Sequence, residues 1–166
     1  MNKTQKLVIS ALMTAAGVLF TRFLGLTTTE LYIGIGELPT YIAALLLGPG
    51  WGMATGALVD LIGHFLKPMG AYFPGFTFSC ALTGLIPGLL LYGDRNVTYV
   101  KLLLTVFITQ FICSLVLGPL WLSILFGKAF WAYIPGRLIK QAITVAVYPV
   151  MLFGLLRVLR RTHLIY

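Results

Sequence analysis

Acidic residues are nearly absent. Glu30, Glu37, Asp60 and Asp94 are the only four among 166 residues. No two of them sit at a spacing that suits paired-carboxylate acid–base chemistry. Cysteine is equally sparse: Cys80 and Cys113 both fall inside apolar runs. They read as small packing residues and not as a disulfide framework. No ligand spacing suits a metal, no P-loop or Gly-rich phosphate cradle is present, and no Ser–His–Asp set has polar support. Neither an enzyme nor a resident cofactor or metal is expected. Charge of any sign is short as well: 10% of residues are charged and 59% are hydrophobic, with a mean hydropathy of +0.96. A soluble domain of this size needs far more polar surface, so the bilayer is the solvent.

A helical span takes about 20 residues, so about six tightly connected spans fit in this length and eight do not. Six apolar segments emerge, at residues 7–25, 38–47, 51–66, 75–92, 99–126 and 137–159. The second is short and extends back to Leu31 only by carrying Glu37 into the interface. Gly or Pro punctuates each break from the second segment onward. With no water to satisfy a sheet edge, helices are the economical way across. The expectation is an all-α integral membrane protein, one domain over residues 1–166, with six transmembrane helices in a single bundle. The opening apolar run lacks a small-x-small cleavage site before Arg22 and reads as a retained first span. No internal repeat is evident, and nothing in the chain supplies energy for transport.

Twelve Lys and Arg give a formal charge of +8. Two readings stand: topology signals with anionic lipid, or an anionic substrate. No nucleic-acid partner is expected. Lys3, Lys6, Arg95, Lys101, Arg157, Arg160 and Arg161 fall on one side, and Arg22, Lys67, Lys128, Arg137 and Lys140 on the other. This bias places both termini in the cytoplasm. Arg22, Arg137 and Lys140 then lie at the outer ends of the first and last spans. A charge within a span costs about 2.5–3.5 kcal/mol on insertion scales, so such groups face a cavity or a partner. Glu30 and Glu37 share that side and are available to neutralise some of them. Snorkelling to the interface suits Lys67 and Lys128, which lie in loops.

Three further features stand out. Asp60 and His64 are four apart, on one helix face. That is either a self-satisfied pair or a carboxylate orienting an imidazole towards a ligand; structure is favoured for Asp60 and substrate for His64. Tyr72, Phe73 and Phe76 surround a Pro-Gly break at a span entrance, with Trp121, Trp131 and Tyr133 on the same side. These aromatics suit an interfacial belt or a stacking platform for a planar ring. Ala11 and Ala15 leave a flat strip on the first helix, on which another helix can lie, inside the bundle or outside it.

The stretches LLLGPGWG (45–52), ALVDLIG (57–63), YFPGFT (72–77) and LTGLI (82–86) together resemble the S components of energy-coupling factor (ECF) vitamin transporters. The resemblance runs over most of the chain. It is strongest to folate-specific members, through TRF (21–23), LWLS (120–123) and PGRLIKQ (135–141). Folate-type members often carry Asn-Thr where Gly118-Pro119 stand here. The resemblance implies a six-helix subunit of a bacterial cell membrane that binds a vitamin near the outer face. It also implies docking, through the Ala11/Ala15 strip, onto a T component with two ATPase subunits, on which ATP hydrolysis falls. For a folate, Tyr72, Phe73, Phe76 and Trp121 would stack on the pterin, His64 would hydrogen-bond it, and Arg22, Arg137 and Lys140 would hold the glutamate carboxylates. Three other readings remain: an S component for pantothenate or pyridoxine, a small intramembrane enzyme using Asp60 and His64, and a structural subunit without a ligand.

Overall fold

Helix α1 (Lys3–Arg22) starts where the Gln5 side chain accepts the Asn2 backbone N–H at 2.9 Å. Such a bond satisfies one donor that the first turn leaves open. A computed structural model describes residues 2–23, 26–27, 32–33, 35–68, 71–94, 97–127 and 129–161; Glu30, Arg95 and Lys128 lie outside the described residues. The inward stripe of α1 is Ser10, Thr14, Gly17 and Val18, at helical spacing. Ser10 Oγ meets Thr55 Oγ1 at 2.9 Å, a polar link inside the bundle. The outward stripe carries exposed Leu12 and Leu19. After α1, Leu26–Thr27 and Tyr32–Ile33 form a two-residue antiparallel pair, β1 and β2.

Helix α2 (Leu38–Leu47) has only 10 residues, about 15 Å of rise. Tyr41, Ala43 and Ala44 are fully buried in it. Gly48, at φ 101°, then turns the chain straight into α3 (Pro49–Leu66). A side chain there would be strained, and Pro49 is preorganised for a first helical turn. Helix α4 (Pro74–Leu91) lies against α3 at backbone contact. A Cβ on Gly84 would stand 1.9 Å from the Gly52 carbonyl oxygen, and one on Gly56 would stand 2.1 Å from that of Cys80. Small residues are what let helices approach this closely in a membrane.

Helix α5 (Tyr99–Phe126) is not uniform. It is α-helical over Tyr99–Gln110, π-helical over Phe111–Leu117 and α-helical again over Gly118–Phe126. It stops at Gly127, whose φ of 68° is left-handed. A 3₁₀ turn (Phe130–Tyr133) leads into α6 (Ile134–Arg161), which packs along α5. The bundle thus has an upper end, with Arg22, Leu66, Pro74, Phe126 and Ile134, and a lower end, with Lys3, Leu91 and Tyr99. The apolar core sits in the lower half, around Tyr41, Leu91, Leu102, Tyr148 and Leu152.

The all-helical architecture follows the expectation, and among the described residues there are six helices of this kind. Four are long and apolar enough to cross a membrane: Lys3–Arg22, Pro74–Leu91, Tyr99–Phe126 and Ile134–Arg157. Helix α2 is short, and α3, rich in Gly and carrying Asp60 and His64, is not among the four. Leu104, Ile124 and Val150 point outward with large exposed apolar surfaces, as a bilayer solvent requires.

Candidate functional site

The short α2 leaves space above it, and a cavity of about 280 Å³ fills the upper half of the bundle. Its depth follows from helix rise. Arg22 closes a 20-residue helix, about 30 Å above the lower end. Glu37 precedes the 10-residue α2, about 15 Å above that end. Gln110 closes the 12-residue stretch Tyr99–Gln110, about 18 Å up. Arg22 is therefore at the mouth, and Glu37 and Gln110 are at the floor.

At the mouth, Arg22 Nη2 is 3.6 Å from Asp60 Oδ1. Thr77 Oγ1 donates to Asp60 Oδ2 at 2.7 Å, and Tyr72 Oη lies 3.2 Å from that same Thr77 hydroxyl. Asp60 thus spends itself on Arg22 and Thr77. His64, one turn on, faces the Tyr72 ring at 5.2 Å instead of forming an Asp60–His64 pair. Gly63 makes the room: a Cβ there would stand 2.7 Å from Arg22 Nε. Lys67 is not simply solvated, because its Nζ donates to the Arg22 carbonyl at 3.0 Å and lies over Phe23.

One wall is aromatic. Phe73 and Phe76 meet edge-on at 6.1 Å, and both line the cavity with Tyr72 and His64. Trp121 stands behind Phe73 at 5.6 Å, and its Nε1 donates to Ser79 Oγ at 2.9 Å. Gly75 is what admits the indole, since a Cβ there would stand 2.5 Å from it. Trp131 is 77% exposed and points away.

Another part of the lining owes its geometry to the π-helical segment. There the Gly118 N–H bonds the Cys113 carbonyl. The next carbonyl, of Ser114, would take its π-type partner from residue 119, which is proline and has no N–H. Arg137 Nη1 fills the vacancy at 2.9 Å. Gly118 leaves space for the guanidinium, because a Cβ there would stand 2.1 Å from Nη1. An Asn at 118 would collide with Arg137 as it stands, so Gly118-Pro119 and the Arg137 placement go together. Among the described residues Arg137 forms no ion pair, and its Nε has no hydrogen-bond partner.

At the floor, Lys140 Nζ lies 2.9 Å from Glu37 Oε1, and Gln110 Nε2 donates to Glu37 Oε2. The cavity brings together Arg22, His64, Tyr72, Phe73, Phe76, Arg137 and Lys140 of the expected set. Ala11 and Ala15 lie elsewhere, exposed on the outer face of α1. Glu37, Gln110 and Ser114 were not expected as site residues. Gln110 had a signal, as a lone amide inside an apolar run.

The family model for the ECF transporter, substrate-specific component, matches residues 5–161. The chain is 32% identical over 164 residues to the folate transporter FolT of Clostridium novyi (strain NT), covering 99% of this chain and 95% of that one. It is 28% identical over 145 residues to the folate transporter FolT of Leuconostoc mesenteroides, covering 84% and 78%. A crystal structure of FolT bound with folic acid superposes with a TM-score of 0.83 at 30% identity, over 90% of this chain and 93% of that one. The S component for biotin from an ECF-type ABC transporter shares the fold, with a TM-score of 0.57 at 21% identity over 91% and 94%. By sequence over nearly its whole length, and by fold, this chain belongs to the substrate-specific components of ECF transporters.

Proposed function

We propose that this S component captures a folate at the outer face of a bacterial membrane and delivers it to a T component carrying two ATPase subunits. In this reading residues 1–166 form one membrane domain with both termini in the cytoplasm. FolT relatives that match the chain nearly end to end support the reading. The observation that carries it is the make-up of the cavity: aromatic side chains line it together with Arg137, a cation with no ion pair among the described residues. Arg22, Arg137 and Lys140 line the cavity against Glu37 and Asp60, an excess of one positive charge. A planar ring with an anionic tail satisfies both features: rings stack on aromatics, and a guanidinium fork grips a carboxylate with two parallel hydrogen bonds.

Titration of the purified protein with folic acid, followed by tryptophan fluorescence, tests the reading. Saturable binding of folic acid, with pantothenate and pyridoxine failing to compete, is expected. No response to folic acid, or displacement by either of the other vitamins, overturns it.

A further inference from the structure

Beside the ion-paired carboxylate of Glu37, the cavity carries polar side-chain atoms that have no partner among the described residues. Gln110 is 1% exposed and Ser114 is 4% exposed. Among the described residues Gln110 Oε1 and Ser114 Oγ have no partner, and both residues line the cavity. Glu37 accepts from Lys140 at one oxygen and from Gln110 at the other. An ionised carboxylate has about four lone-pair sites, so each oxygen retains acceptor capacity towards the cavity. Buried polar atoms without partners are rare in a folded protein, and two of those that line this cavity belong to Ser114 and to Gln110, the residue that bonds Glu37.

We propose that Glu37 is the specificity-determining residue for the ring of the ligand, accepting the adjacent N–H groups of a 2-amino-4-oxopyrimidine edge. Lys140 and Gln110 are positioning residues that hold the carboxylate. The proposal rests on the folate reading of the same cavity and adds an orientation to it. Glu37 and Lys140 cancel, so a neutral ring meets no net charge there. A carboxylate tail driven to the floor would face the Glu37 carboxylate about 15 Å below the mouth. Placed ring-down, the ligand sets its p-aminobenzoyl ring, and not the pterin, beside Phe73 and Phe76 near the mouth, and its tail within reach of Arg22 and the unpartnered Nε of Arg137. Two neighbouring N–H donors match a carboxylate as a guanidinium does, by parallel hydrogen bonds. Gln110 Oε1 remains for the second hydrogen of the 2-amino group, and the Ser114 hydroxyl can donate to an acceptor atom of the ring.

The test uses two ligands with the same tail: folic acid, and an analogue in which methyl replaces the 2-amino group. Wild-type protein should prefer folic acid by about tenfold or more, the scale of a hydrogen bond to a charged group. In Glu37→Gln that preference should shrink towards unity while the analogue still binds. The paired variant Glu37→Gln/Lys140→Met removes both charges together and should show the same collapse. Equal loss of both ligands in either variant, or an unchanged preference, assigns Glu37 a structural role only and overturns the proposal. Failure of wild-type protein to bind folic acid is a different outcome, because it removes the folate reading itself.

Discussion

Lys140 Nζ and Glu37 Oε1 meet at 2.9 Å across 103 residues of sequence. The pair ties the upper part of α6 to the start of α2, and the Glu37 and Lys140 side chains are only 23% and 10% exposed. Removing one partner of a buried pair leaves the other charge uncompensated, at a cost of about 3–5 kcal/mol. Lys140→Met alone should therefore lower the unfolding midpoint in detergent clearly. The Glu37→Gln/Lys140→Met double variant should unfold nearer to wild type. A double variant less stable than the single one would mean that the pair itself, and not the stranded charge, holds the helices.

The contact between α3 and α4 predicts a contrast among glycines. Gly84→Ala drives a methyl group to within 1.9 Å of a backbone oxygen that cannot turn aside. Overpacking of this kind costs about 1–3 kcal/mol, and a shared helix displacement would also disturb the cavity wall at Cys80 and Thr83. Gly154→Ala has open space around it, and replacing a helical Gly there should stabilise by up to about 1 kcal/mol. Thermal unfolding of the two variants should move in opposite directions. Equal destabilisation by both would refute the close-approach argument.

Arg137 and Arg22 should differ in their effect on ligand affinity. Losing a desolvated charge-assisted pair costs about 2–5 kcal/mol, and among the three basic residues that line the cavity Arg137 is the one that forms no ion pair within the described residues. Arg137→Ala should weaken folic acid binding the most. Arg22→Ala should weaken it less, since Arg22 already shares its charge with Asp60 at 3.6 Å. Lys67→Ala should change little, its ammonium being engaged by the Arg22 carbonyl and the Phe23 ring. A pterin without the glutamate tail controls for shape: its affinity should be low in wild type and nearly unchanged in the Arg variants. Parallel losses for folic acid and the tail-less pterin would show that the arginines support the cavity and do not read carboxylates.

The helices and their breaks were legible because Gly and Pro act locally. Gly48-Pro49 and Pro74 end up at helix starts, where their backbone preferences put them. The convergence of Arg22, Arg137 and Lys140 on one cavity followed from charge cost in a membrane. Their partners did not follow. Glu37 to Lys140, and Arg22 to Asp60, are tertiary matches that no spacing encodes. Asp60 and His64 show the limit of a local rule: one turn apart, they face different neighbours, because Gly63 admits Arg22 beside Asp60. The π-helical segment was hidden for a related reason. Pro119 signals a missing donor, but only the packing of α6 shows that Arg137 replaces it.

The outer face of α1 supplies the last prediction. Ser10, Thr14, Gly17 and Val18 take the inward stripe, which leaves Ala11 and Ala15 exposed. A small-residue strip of that kind lets a neighbouring backbone approach closely. In an ECF importer the neighbour would be the T component. Ala11→Trp and Ala15→Trp should therefore leave folding and folic acid binding by the isolated subunit intact, since neither side chain reaches the core or the cavity. Uptake by cells that also express the T component and ATPases should fall sharply, because the indole would hold the partner helix away. Leu12→Trp is the control: it keeps a large apolar group on a position already occupied by one, 61% exposed. Measured side by side, binding in detergent and uptake in cells separate the two roles. Loss of binding in step with uptake would mean that the strip packs within the bundle, and unchanged uptake in both Ala variants would place the docking surface on another helix.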